Sequence, residues 1–170
     1  NTRLQNVTIY ENQGGTVGGL GLGRPFSSSF TAVLLESTIV ARNVSATSAG
    51  DCGKMAVPSA TIDSLGGNLF GDGSECPFLA QTNDLIGTAM TPIDPLLGPL
   101  AQNGGLTETH SLLQGSPALD AAGSACVSAD QRGAARPFDA DGDGFALCDI
   151  GAYESADFDG DGIDDALDNC

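Results

Sequence analysis

Basic residues are scarce in this sequence. Among 170 residues only six are Lys or Arg and one is His, against 22 Asp and Glu, for a net charge of −16. A chain of that sign has little with which to neutralise phosphate, so nucleic acid and anionic membranes are not expected partners. No apolar run approaches the ~20 residues of a membrane-spanning helix, and no signal-peptide pattern opens the chain, so direct membrane insertion is not expected either. None of the five cysteines, at 52, 76, 126, 148 and 170, forms a C-x-x-C pair, and His110 has no cysteine near it, which sets zinc aside. One histidine without a clear Ser or Cys partner is poor ground for nucleophilic catalysis. Aromatics are 5% of the chain. With so few bases beside them, they count against a carbohydrate-cleaving groove.

What the chain has in excess is carboxylate, and half of it is in one place. Eleven of the 22 acidic residues lie between Asp139 and Asp168, and no Lys or Arg follows Arg136. Like charges this dense repel unless a cation sits among them. The stretch holds one pattern twice, D-x-D-x-D-G: Asp139-Ala140-Asp141-Gly142-Asp143-Gly144 and Asp157-Phe158-Asp159-Gly160-Asp161-Gly162. Carboxylates at positions 1, 3 and 5, a carbonyl at 7 and a glycine at the sharp turn fold around one hard ion, and calcium is the expected cofactor. In the first loop position 12 is Ile150, which has no side-chain oxygen. Its expected ligands are Asp139, Asp141, Asp143, the Phe145 carbonyl, and Asp149 as the substitute at position 11.

The first half reads as short strands. Leu4-Gln5-Asn6-Val7-Thr8-Ile9-Tyr10-Glu11-Asn12 lays over Leu35-Glu36-Ser37-Thr38-Ile39-Val40-Ala41-Arg42-Asn43, so Leu4 meets Leu35, Ile9 meets Val40 and Asn12 meets Asn43. Alternation at period two marks half-buried strands, and a repeat of this length with an asparagine at a turn predicts stacked units. Val17–Gly23 and Phe30–Leu34 read as further strands, and the glycines at 19–23 as places where chain crowds chain. From 60 to about 119 the density of Pro, Gly, Asn and Asp predicts short strands and turns, with a brief helical turn around 116–121 and strand character at 107–112. Asn6-Val7-Thr8 and Asn43-Val44-Ser45 are formal glycosylation sequons, though Asn43 fits a ladder of stacked turns better. An acidic, cysteine-bearing chain belongs outside the cytoplasm, with two disulfides closing local loops, Cys52–Cys76 and Cys126–Cys148, and Cys170 left over.

A series of strings resembles the C-terminal end of secreted bacterial right-handed parallel β-helix proteins, the choice-of-anchor Q type. They are Ile62–Leu69, Asp94–Leu100 with Asn103-Gly104-Gly105, Gly115–Asp120, Asp130–Gly133 with Arg136-Pro137, and Cys148–Glu154. The last fourteen residues are similar to a thrombospondin type 3 repeat, D-x-D-x-D-G-x-x-D-x-x-D-N-C. That likeness implies calcium ligands at Asp157, Asp159, Asp161, the Ile163 carbonyl, Asp165 and Asp168, and a Cys170 that pairs beyond the segment.

Together these readings predict an all-β chain: parallel β-helix coils and their cap over 1–121, a disulfide- and calcium-stabilised loop region over 122–154, and a calcium-binding repeat over 155–170. The expected role is a non-enzymatic extracellular or cell-surface module of an adhesin, stalk or filament. A piece of a larger or processed protein is expected, with a head-to-tail homo-oligomer as a possible assembly. The alternatives are the cap of a polysaccharide-binding or polysaccharide-cleaving β-helix and a passenger fragment of an autotransporter.

Overall fold

The computed structural model describes residues 2–23, 32–46, 50–54, 61–122, 126–139 and 143–156. Among these the chain is all-β, with no helix. The first repeat supplies β1 (Thr2–Gln5), β2 (Thr8–Tyr10), β3 (Gln13–Gly14) and β4 (Leu20–Leu22); the second supplies β5 (Ala32–Glu36), β6 (Ile39–Ala41), β7 (Val44–Ser45) and β8 (Cys52–Lys54). A third contributes β9 (Thr61–Gly66) and β10 (Leu69–Phe70), and a fourth β11 (Phe78–Leu79) and β12 (Leu85–Ile86).

Each strand pairs in parallel with its counterpart in the next repeat, so sequence neighbours fall in different sheets. Sheet A runs β1-β5-β9-β11 and sheet B runs β12-β10-β6-β2, while β3-β7 and β4-β8 form two-stranded sheets. The register is the one the sequence overlay predicts, Leu4 beside Leu35 and Ile9 beside Val40. The spacing then tightens. Val33 meets Ile62, 29 positions on, with a bulge after Leu35, and Leu69 meets Leu85, only 16 on.

The corners between strands use the left-handed backbone region. Asn6 (φ 52°), Ser37 (φ 48°) and Gly66 (φ 107°) turn the chain from sheet A toward sheet B, and Glu11 (φ 53°) and Arg42 (φ 55°) turn it away again. Single residues of this kind make sharp bends at modest cost. Asparagines seal these corners. Asn43 accepts from Asn12 Nδ2 at 2.9 Å and donates to the Ile9 carbonyl at 3.0 Å. Asn68 donates to the Leu35 carbonyl and accepts from the Thr38 amide. Both are buried, and their bonds satisfy backbone groups that would otherwise be orphaned. Asn43 is thus a ladder residue.

Two apolar clusters follow from strand alternation. One lies between the sheets and joins Leu22, Val33, Leu35, Val40, Cys52, Ile62 and Phe70. The other lies on the opposite face of sheet B, where Ile39, Ala41 and Leu69 meet Leu112, Ala118, Ile150 and Tyr153. The C-terminal third therefore covers the outer face of sheet B. From Leu97 on, the described residues form isolated antiparallel bridges, such as Leu97 with Leu112, Ala101 with Thr109 and Ala129 with Ala135, and no named strand. Prolines at 92, 95, 99 and 117 explain this, since each removes a ladder donor. Residues 117–120 form turns rather than a helix.

Both expected disulfides form. Cys52 bonds Cys76 with Cα atoms 5.1 Å apart, and Cys126 bonds Cys148 at 6.4 Å. Cys170 lies outside the described residues.

Candidate functional site

All of the second acidic loop, with Asp157, Asp159, Asp161, Ile163, Asp165 and Asp168, lies outside the described residues, as does Asp141 of the first. The described part of the first loop, Asp139 and 143–147, adjoins an antiparallel bridge between Phe138 and Leu147. Gly144, the position-6 glycine, sits at φ 94°. Its amide donates to Asp139 Oδ2 at 2.9 Å, and the Phe145 amide donates to Asp143 Oδ1 at 2.8 Å. Position 1 is thus drawn onto position 6 across the turn, which is the fold-back a D-x-D-x-D-G loop makes around an ion. The donors are all oxygen, as a hard divalent cation requires. The residues present fit calcium in composition and in this one closure.

Asp149 stands apart from that loop. Its Oδ1 accepts the Asp120 amide at 2.8 Å and its Oδ2 accepts the Ser155 amide at 2.6 Å, and the residue is fully buried. Among the described residues no three His, Cys, Asp or Glu gather where they could hold a metal. The structure therefore keeps Asp139 and Asp143 in one loop and places the Asp149 carboxylate in a different cluster. The acid next to the loop is Asp120, whose Oδ1 accepts the Leu147 amide at 3.3 Å.

The cluster around Asp149 is the densest charge in the interior. A tight turn, with Ala129 bridged to Ala135, presents Asp130 and Arg132. Arg132 pairs with Asp130 at 2.8 Å and lays its guanidinium 3.5 Å from the centre of the Tyr153 ring. Arg136 pairs with Glu154 at 2.8 Å, both side chains sealed from solvent, and donates to the carbonyls of Asp149 and Gly151. Glu154 also accepts the amides of Phe138 and Asp149. Burial pushes the Asp149 carboxyl up to about 8, helped by the negative charge of Glu154. Burial likewise raises Glu154 to about 7, against the pull of Arg136. Asp130 goes the other way: burial works to raise it, but the Glu154 amide and Arg132 outweigh that and hold it below the usual range.

In the sequence these residues fall within short strings, and only Asp149 carries an expected role. A signal was present. Arg132 and Arg136 are two of only six bases, and they flank Gly133-Ala134-Ala135 with Asp130 two residues upstream. Bases placed there make buried partners rather than a surface patch. His110 is settled by contact: its Nδ1 lies 2.8 Å from the Gly98 carbonyl and its ring stands edge-on to Tyr10 at 4.9 Å. No family model matches the chain, and comparison with curated proteins and with solved structures found no match.

Proposed function

We propose that this chain is a non-enzymatic, extracellular structural module: the closing end of a right-handed parallel β-helix, stiffened by calcium in its acidic loops. The observation that carries the calcium reading is the first loop, where the glycine turn at 144 draws its amide onto Asp139 within a D-x-D-x-D-G pattern. Asp139, Asp141, Asp143 and the Phe145 carbonyl hold the ion there, and Asp157, Asp159, Asp161, the Ile163 carbonyl, Asp165 and Asp168 hold a second. Asp149 is left to the buried cluster. The β-helix reading is supported by parallel pairing at repeat spacing in four sheets and by the asparagines stacked at their corners. The taper from four strands per repeat to two is how such a stack ends rather than continues. It works against direct head-to-tail stacking of copies. Two disulfides support an oxidising compartment, and a surface-assembly role follows from location and stiffness.

Calcium uptake is the test. Titration calorimetry on the chelator-treated chain is expected to give two ions per chain, with Kd of about 10⁻⁴–10⁻³ M, as in extracellular modules. Asp139→Asn is expected to remove one of them. Absence of binding up to 10 mM, about tenfold above that range, ends the calcium reading.

A further inference from the structure

We infer that the free edge of the first repeat is a docking site for one further repeat of the same kind, which another polypeptide lays parallel to β1 and β2. Backbone pairing carries it. Among the described residues β1, β2, β3 and β4 each pair on one side only, and in all four that side is the second repeat. Flanking β2, the Val7 carbonyl accepts the Ile39 amide and the Glu11 amide donates to the Ala41 carbonyl. Alternate residues of a parallel strand bond to opposite sides, so the backbone groups of Thr8 and Tyr10 point away from the second repeat. Such a row is a template for another strand. The opposite edge is blunted, since β11 and β12 are two residues each. None of β1–β4 contains proline, and their one charged residue, Arg3, is paired with Glu36.

Side chains define what fits. Leu4, Ile9 and Leu20 are only partly buried, whereas their register partners Leu35, Val40 and Cys52 are sealed. The occupant is therefore apolar over Leu4 and Ile9. The corner residues give its direction. In each link of the ladder, the backbone amide and Nδ2 of one asparagine share a single side-chain oxygen. Asn12 gives both to Asn43 Oδ1, at 3.1 and 2.9 Å. Asn43 gives both to Asp51 Oδ1, at 2.9 and 3.0 Å, and Asn68 does the same to Asp84 Oδ1. A carboxylate has no donor to hand on, so Asp51 and Asp84 end their ladders. At the other end Asn12 gives without receiving: no described residue donates to its Oδ1. The missing partner is an asparagine in a parallel strand, one repeat away.

A second copy of this chain fits less well. Its last repeat offers two short strands against four. Docking by the same edge places the copies about a twofold axis, which runs their strands antiparallel and does not continue the asparagine register. The edge lies outside both acidic loops, so the inference does not depend on calcium.

The probe is a synthetic peptide of residues 32–44, which already lies parallel to β1 and β2 in the second repeat. In register it sets Leu35 over Leu4, Val40 over Ile9 and Asn43 against Asn12. It is added to the full chain while amide exchange is followed by NMR. At saturating peptide, exchange at Thr8 and Tyr10 is expected to slow by about tenfold, with Leu85 and Ile86 of β12 unchanged. The peptide with Asn43→Ala is expected to bind about tenfold more weakly, because it cannot bond Asn12 Oδ1 through a side chain. Unchanged exchange at Thr8 and Tyr10 up to about 1 mM peptide overturns the inference. So does equal binding by the Asn43→Ala peptide or by a scrambled one. Protection of Thr8 and Tyr10 that rises with the concentration of the chain alone assigns the edge to a second copy and overturns it as well.

Discussion

Sheets A and B are made of the same repeats, yet they are buried differently. In β9 of sheet A, exposed and buried residues alternate: Thr61 and Leu65 face outward while Ile62 and Ser64 are covered. In β6 of sheet B, Ile39, Val40 and Ala41 are all fully buried. Both sheets use their inward face against the shared core. Among the described residues only sheet B has its other face covered, by Leu112, Ala118, Ile150 and Tyr153. The sequences carry part of the difference. A parallel strand covered on both sides reads as an unbroken apolar run, Ile39-Val40-Ala41 or Leu69-Phe70, and β9, covered on one side, alternates, whereas β5 of sheet A is apolar over Ala32–Leu35 although Leu34 is only half-buried. The stack is therefore a self-contained core on one side and a docking surface for the C-terminal third on the other.

Arg136 is the position whose loss should separate the two sides most. Arg136→Met leaves Glu154 buried without its cation, and removing one partner of a buried pair costs about 3–5 kcal/mol. Chemical denaturation is expected to show that loss, and hydrogen exchange should rise in 148–155 more than in β5 and β9. Equal increases in all of them would mean that the cluster is not tied to one side of the stack.

A smaller effect sharpens the same contrast. Ile39→Ala on the covered face of sheet B is expected to cost about 2–5 kcal/mol, because a fully buried side chain leaves a cavity. Leu34→Ala, on the outward row of sheet A beside Arg3 and Asp63, is half-buried and is expected to cost ~1 kcal/mol. Urea midpoints of the two variants give the comparison directly. Equal losses would show that sheet A is covered too.

Much of sheet A and sheet B was legible in the sequence because register is a local overlay: Leu4 on Leu35 and Asn12 on Asn43 fix the pairing of the first two repeats. The third and fourth repeats were not, because their spacing shortens to 29 and then 16, and a fixed period does not find them. The disulfides were legible from closeness along the chain. Within the glycine run at 19–23, crowding was read correctly at Gly19: a Cβ there would stand 2.4 Å from the Asp51 carbonyl oxygen. The charge cluster was hidden for a physical reason. Asp130, Arg136 and Glu154 look like surface residues in composition, and only their convergence across 24 positions makes them an interior. Asp149 was read as a metal ligand because it stood beside the loop in sequence, yet the fold turns its carboxylate to the amides of Asp120 and Ser155.

We propose a stack of repeats whose C-terminal side is completed by calcium. Hydrogen exchange of the full chain with 5 mM calcium and with chelator tests it most directly. The account predicts that calcium slows exchange in residues 138–147 and 157–170 by at least tenfold while β5, β6 and β9 are unchanged. Exchange that is identical with and without calcium in both acidic loops would contradict it.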